Sequence, residues 1–141
     1  MSQGYQRMLP QLSEENRFYW TSGADGVLRM LRCGDCSNWV HPPRPICSKC
    51  LSRNLAPQAL SGKGEIFSLT LNHKAWGPGL EVPYAIAVVT LDEQSDLQLT
   101  TNITGIAPET ARIGMRVTVA FEQDEDVWLP MFAPEGAARA A

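Results

Sequence analysis

The sequence predicts a mainly β protein: a short N-terminal helix, a cysteine-bound ribbon, then a small five-stranded all-β domain. Three observations predict it. All four cysteines fall within residues 33–50 as two C-x-x-C pairs, Cys33/Cys36 and Cys47/Cys50. From residue 56 onward, short runs of β-branched and aromatic residues alternate with Gly and Pro, the punctuation of strands and tight turns. Helical punctuation is confined to residues 13–22 and one turn near Pro108.

Residues 1–11 are mixed in character and contain Pro10, so little independent structure is expected there. Ser13 can cap a helix running to about Ser22, with Glu14 and Glu15 suited to its dipole. Gly23 offers a left-handed stop. Asn16 stands where a Glu or Gln would reach back, so a capping box is not expected. The helix ends in Phe18-Tyr19-Trp20. Adjacent helical residues point about 100° apart, too wide an arc for one buried stripe. At least one of the three must meet something beyond its own core. Either it folds back on the ribbon or the following domain, or it contacts another subunit, where aromatic residues are enriched.

Val27–Arg32 reads as a strand leading into Cys33, and Trp39-Val40-His41 as its return partner. Pro42-Pro43-Arg44-Pro45 stiffens the approach to the second cysteine pair. Two C-x-x-C pairs converge four thiolates on one ion, the shell preferred by structural Zn²⁺. Iron in the same shell is chemically allowed. Disulfides would suit a secreted chain, but Met1–Arg7 has no signal-peptide character. A redox C-x-x-C stands alone near a βαβ pattern, which is absent. Four thiolates leave no open coordination position, so the expected metal is structural rather than catalytic. Its net negative charge would be offset by Arg32, Arg44, Lys49 and Arg53, nearby in sequence. With the shell full, His41 is expected to be a ribbon surface residue rather than a ligand.

The all-β part begins with Gly64–Leu71, followed by a loop carrying Trp76 between Lys74 and Gly77-Pro78-Gly79. Such a loop can present a large apolar face that moves as a unit, or the indole can cap the barrel. Pro83–Leu91 is the most apolar segment and is expected to be the central strand. Leu97–Ile103 follows, then a helical turn at Pro108–Ala111 closed by Gly114. Arg116–Phe121 and Val127–Phe132 are the last strands, separated by an acidic loop from Glu122 to Asp126, with a mobile tail from Ala133. Five strands with a helical turn between the third and fourth is the OB-fold order, although periodicity alone establishes only a small all-β domain. The expected division is 1–24 helical segment, 25–56 ribbon, 57–134 β domain and 135–141 flexible tail.

Several ordered motifs then carry a resemblance. They are Phe18-Tyr19-Trp20 before a glycine-flanked strand, Arg32-Cys33-x-x-Cys36, and Pro42-Pro43-Arg44 ahead of Cys47-x-x-Cys50. Further on stand Ser61–Ser68, Val82–Ala87, Ile113–Val117 and Leu129-Pro130-Met131-Phe132. Nearly end to end, the chain resembles the acyl-CoA-associated proteins in which a rubredoxin-like zinc ribbon precedes an OB-fold domain. Two departures stand out: Ser37 replaces a glycine after the second cysteine, which leaves room for a looser first knuckle, and His41 replaces an aromatic. The resemblance implies a zinc-binding accessory subunit of a thiolase-superfamily enzyme, either an acyl-CoA thiolase or a lipid-transfer-type aldolase of steroid or fatty-acid degradation. Some relatives instead accompany MaoC-like hydratases. It implies that the partner performs the chemistry and supplies most acyl-CoA contacts, in a hetero-oligomer.

The residues agree with a non-catalytic role. The thiols are consumed by metal, and the remaining side chains assemble no Ser/His/Asp or Cys/His set. Candidate partner contacts are Phe18, Tyr19, Trp20, Trp39 and Trp76. Direct CoA binding by the β domain would rely on few cations, chiefly Lys63, Lys74 and Arg116. Residues 57–141 carry five cations against eleven carboxylates, a net charge of −6, whereas residues 1–56 carry +3. That acidity opposes single-stranded nucleic-acid binding, which needs a basic groove. The longest apolar run, Tyr84–Val89, falls well short of the roughly 18 residues of a membrane span. The expected location is the cytoplasm, where thiols stay available to metal.

Overall fold

The computed structural model describes residues 8–136. The N-terminal helix α1 is short, Arg17–Thr21, and runs into a 3-10 turn at Ser22–Asp25. Ser13 and Asn16 form a reciprocal pair just ahead of the helix. Ser13 Oγ accepts from the Asn16 N–H at 3.2 Å, while Asn16 Oδ1 accepts from the Ser13 N–H at 2.8 Å. This pair shapes the turn ahead of α1, whose N-cap is Asn16 rather than Ser13 and makes no side-chain capping bond, so the helix has no capping box. The left-handed stop lies at Gly26, φ 78°, not at Gly23. Gly23 is needed for proximity: a Cβ there would lie 2.6 Å from Trp128 Cβ and collide with the Phe121 ring.

Strands β1 (Arg29–Cys33), β2 (Trp39–Val40) and β3 (Leu55–Ala59) form an antiparallel sheet in the order β2-β1-β3. Strand β3 was not anticipated. It carries Pro57 and small or polar residues, and a proline is tolerated on such an exposed edge. The second sheet contains β4 (Lys63–Asn72), β5 (Tyr84–Leu91), β6 (Gln98–Asn102), β7 (Arg116–Asp124) and β8 (Val127–Pro134), in the order β6-β5-β4-β7-β8. The helical turn, Pro108–Thr110, falls between β6 and β7. The sheet curls into the OB arrangement and is left partly open. Its ends meet at one parallel bridge, Ile103 to Phe132, beside a 2.8 Å bond from the Thr104 N–H to the Phe132 carbonyl.

The middle of the sheet is β4, not the more apolar β5. β5 alternates strictly, burying Ala85, Ala87, Val89 and Leu91 while the intervening side chains stay half-buried. Its apolarity reflects two partly covered faces. β4 bends at a bulge between Ile66 and Ser68, so it pairs with β5 along its length and with β7 only at Lys63–Glu65. At the acidic run, β7 continues to Asp124 and the turn is reduced to Glu125-Asp126, with Glu125 at φ 56°. The ladder extends because these carboxylates stay in water at the hairpin tip. Ala133 and Pro134 belong to β8, Ala133 being buried, rather than to a mobile tail. Residues 137–141 of the expected tail lie outside the described residues.

The ribbon and barrel do not close separate cores. One buried cluster joins Tyr19, Leu28, Met30 and Trp39 to Ile66, Val89, Val117 and Phe132. Leu9 and Leu12, where little structure was expected, pack with Trp20 on Val127, Leu129 and Met131 of β8. Among the described residues, no helix is long and apolar enough to cross a membrane.

Candidate metal centre

Two chain turns of the same construction carry the cysteines. In the first, the Cys33 N–H donates to the Asn38 carbonyl at 2.8 Å and the Ser37 N–H returns to the Cys33 carbonyl at 3.0 Å. In the second, Cys47 with Ser52 and Leu51 with Cys47 repeat these bonds at 2.9 Å each. Both turns place the residue after the second cysteine in the left-handed region, Ser37 at φ 67° and Leu51 at φ 65°. Ser37 therefore adopts the conformation a glycine would favour, and the first knuckle keeps the bonds of the second rather than loosening.

The knuckles face each other. Cys33 Sγ lies 3.5 Å from Cys50 Sγ, Cys36 Sγ lies 3.6 Å from Cys47 Sγ, and all four sulfurs fall within 4.8 Å of one another. A tetrahedron with Zn–S bonds of about 2.3 Å has sulfur–sulfur edges of roughly 3.8 Å, so the donor set fits zinc in number, chemistry and spacing. It is the one convergent group of three or more His, Cys, Asp or Glu side chains among the described residues.

N–H groups meet the sulfur charge. The backbone N–H groups of Asp35 and Lys49 point at Cys33 Sγ and Cys47 Sγ, each at 3.4 Å, and Asn38 Nδ2 approaches Cys47 Sγ at 3.6 Å. The Cys50 N–H foremost, then the Lys49 N–H and Asn38 Nδ2, hold the Cys47 thiol down at about 6. Arg32, one of the cations expected to offset the thiolates, is bound to the first knuckle. Its Nε donates to the Ser37 carbonyl at 2.9 Å and its guanidinium lies 4.8 Å from the Trp39 ring centroid. Asp35 links the knuckles, accepting from the Ser52 hydroxyl and, at 3.4 Å, from Asn54 Nδ2. Those two bonds hold its carboxyl below the usual range.

His41 is outside the donor set, as expected, and is half-buried rather than fully on the ribbon surface. Its ring packs 4.8 Å from the Tyr19 ring, and burial lowers its pKa to about 4. Trp39 is 6% exposed and belongs to the core, so it offers no free face at the ribbon tip. Tyr19 is also buried, whereas Phe18 and Trp20 are half-buried against the same core. Trp20 keeps one side along a groove of about 350 Å³ lined also by Thr100, Leu129 and Met131. Trp76 is 69% exposed yet bracketed: its Nε1 donates to Asn72 Oδ1 at 3.2 Å, and Lys74 Nζ sits 4.4 Å above the ring. It does not cap the barrel.

Sequence reasoning missed Asn38 and Gln94. Asn38 is a polar residue just before an apolar strand, a weak signal. Gln94 bonds Trp39 from 55 positions away, and no local pattern marks it.

Residues 20–56 match the family model described as the ChsH2 rubredoxin-like zinc ribbon domain, and residues 57–122 match the ChsH2 C-terminal OB-fold domain. A solved chain described as "Ltp2-ChsH2(DUF35) aldolase" superposes with a TM-score of 0.80 at 33% identity, covering 89% of this chain and 98% of that one. A "DUF35 domain-containing scaffold protein" of Pyrococcus furiosus is 34% identical over 66% of this chain and 72% of its own length. A "probable enoyl-CoA hydratase alpha subunit" of Thermomonospora curvata is 34% identical over 91% of this chain, which spans only 40% of that protein. The chain therefore belongs to the ChsH2-type (DUF35) family, in which a rubredoxin-like zinc ribbon precedes an OB-fold domain.

Proposed function

We propose that this chain is a non-catalytic scaffold subunit of an acyl-CoA enzyme of the thiolase superfamily, with a lipid-transfer-type aldolase the favoured partner. Cys33, Cys36, Cys47 and Cys50 hold a structural zinc ion that stiffens the ribbon, and the partner supplies the reacting groups. The observation carrying this reading is the likeness, at 33% identity over 98% of its length, to a chain whose name pairs it with an aldolase. Electrostatics support it. Arg116 is tied to Asp92 by bonds of 2.8 and 2.6 Å, and Lys74 lies over Trp76. Two of the three barrel cations suited to a CoA phosphate are thus already engaged, which leaves those contacts to the partner. Phe18, Trp20 and Trp76 are the proposed contact residues.

A hydratase partner is the second reading, favoured by the likeness to a hydratase alpha subunit. Affinity purification from the native cell tests both. An aldolase or thiolase should co-elute, cleaving acyl-CoA esters at a carbon–carbon bond only when the partner is present. A co-eluting hydratase would select the second reading. Turnover of an acyl-CoA ester by the purified chain alone would sink both.

A further inference from the structure

Between the ribbon and the barrel lies a small polar cavity of about 150 Å³, lined by Asn38, His41, Arg44, Ser48, Gln94 and Asp96 among others. Two buried polar atoms without a protein partner, Asn38 Oδ1 and His41 Nδ1, belong to residues of this one wall. Asn38 is only 7% exposed, and a buried carbonyl left unpaired costs about 1–3 kcal/mol. The other end of the amide is fixed, since Nδ2 points at Cys47 Sγ. A flipped amide would turn its oxygen toward a thiolate and its nitrogen toward the cavity. Repulsion between two electron-rich atoms excludes that orientation.

We propose that Asn38 is a positioning residue of the metal centre, and that the cavity behind it is a hydration site whose water holds the amide in its sulfur-donating orientation. The volume accommodates a few molecules at about 30 Å³ each. Water suits both orphan atoms, because one molecule or a short chain can give an O–H to Asn38 Oδ1 and bond His41 Nδ1 in either tautomer. The N–H···S bond then withdraws charge from the Cys47 sulfur, while the same side chain ties the metal shell to water held between ribbon and barrel.

The test uses the full chain. Asn38→Asp keeps an acceptor toward the cavity and removes the N–H donor; Asn38→Leu removes both. Each is expected to weaken zinc binding about tenfold in chelator competition, as loss of outer-shell partners does. Iron-loaded protein should show a lower reduction potential in both variants than in the parent, since hydrogen bonds to sulfur set that potential. Asn38→Ser, whose hydroxyl can donate, should recover part of both losses and covers the case in which the larger changes prevent folding. A crystal structure of the zinc-loaded parent should show water within hydrogen-bond distance of Asn38 Oδ1. Unchanged zinc affinity and potential in Asn38→Asp, a dry cavity, or an amide turned the other way would each overturn the proposal. Absence of stoichiometric zinc in the parent would instead overturn the metal reading itself.

Discussion

The side chain of Gln94, on the turn between β5 and β6, grips both main-chain groups of Trp39 in the ribbon. Oε1 accepts from the Trp39 N–H at 3.0 Å, and Nε2 donates to the Trp39 carbonyl at 3.2 Å while also reaching Asp96 Oδ1 at 2.8 Å. The amide serves as a one-residue strand on the free edge of β2. Gln94→Ala should leave two partly buried main-chain groups unpaired and cost about 1 kcal/mol. Chemical denaturation measures it, and a loss no larger than that of a surface substitution would mean that water replaces the clasp without cost.

Ser37 and Leu51 both hold a left-handed backbone that disfavours a Cβ. Such a residue is strained by about 1–2 kcal/mol, from which glycine's greater chain entropy subtracts about 0.5–1 kcal/mol. Ser37→Gly and Leu51→Gly are therefore expected to stabilise the zinc-loaded protein, each by roughly 0.5–1 kcal/mol. Leu51 is 73% exposed, so little burial is lost there. A fall in melting temperature in both variants would contradict this.

Cys47→Ser leaves three thiolates of four. Zinc contributes apparent energies of about 10–16 kcal/mol to small zinc domains, so the variant should lose stoichiometric metal. Amide exchange in β1 and β2 should rise with it. Full zinc content by elemental analysis would show that the donor set is not the one described.

Trp76 stands on an exposed loop and touches Asn72 and Lys74, not the core. Trp76→Ala should change folding stability by no more than about 0.5 kcal/mol while weakening assembly with the proposed partner enzyme severalfold. Binding titration beside a melting curve separates the two effects. Equal losses in both would assign the indole to the fold.

His41 is held neutral by burial, its pKa near 4 against an ordinary value of about 6.5. Between these values the unfolded chain takes up a proton that the folded chain resists. The stability this provides is complete above about pH 6.5 and is lost as pH falls through about 4, to a total of about 3 kcal/mol. Stability curves of the parent and His41→Phe, both zinc-loaded, should diverge across that window. Thiolate protonation acts on both proteins and cancels in the difference. Parallel curves would mean that the imidazole is solvated.

Much of this protein was legible along the chain because its information is local. Two C-x-x-C pairs announce a tetrahedral sulfur shell, since two cysteines three positions apart converge on an ion within one turn. The barrel strands were found close to their true bounds, because β-branched runs between Gly and Pro have few other uses. Errors gathered where strand pairing, near or far along the chain, overruled a composition signal. The acidic run entered β7 because Asp124 pairs with Val127, and β3 formed from an unremarkable stretch because β1 offered it an edge.

What the sequence alone determined was the four-sulfur shell and the number and order of the barrel strands. Only the tertiary structure decided which aromatic residues face outward. Trp39 and Trp76 are equally apolar as letters; one is buried in a core shared by ribbon and barrel, and the other is held in solvent by Asn72 and Lys74. Burial depends on what arrives from tens of residues away, as Gln94 arrives at Trp39, and neither spacing nor composition records that encounter.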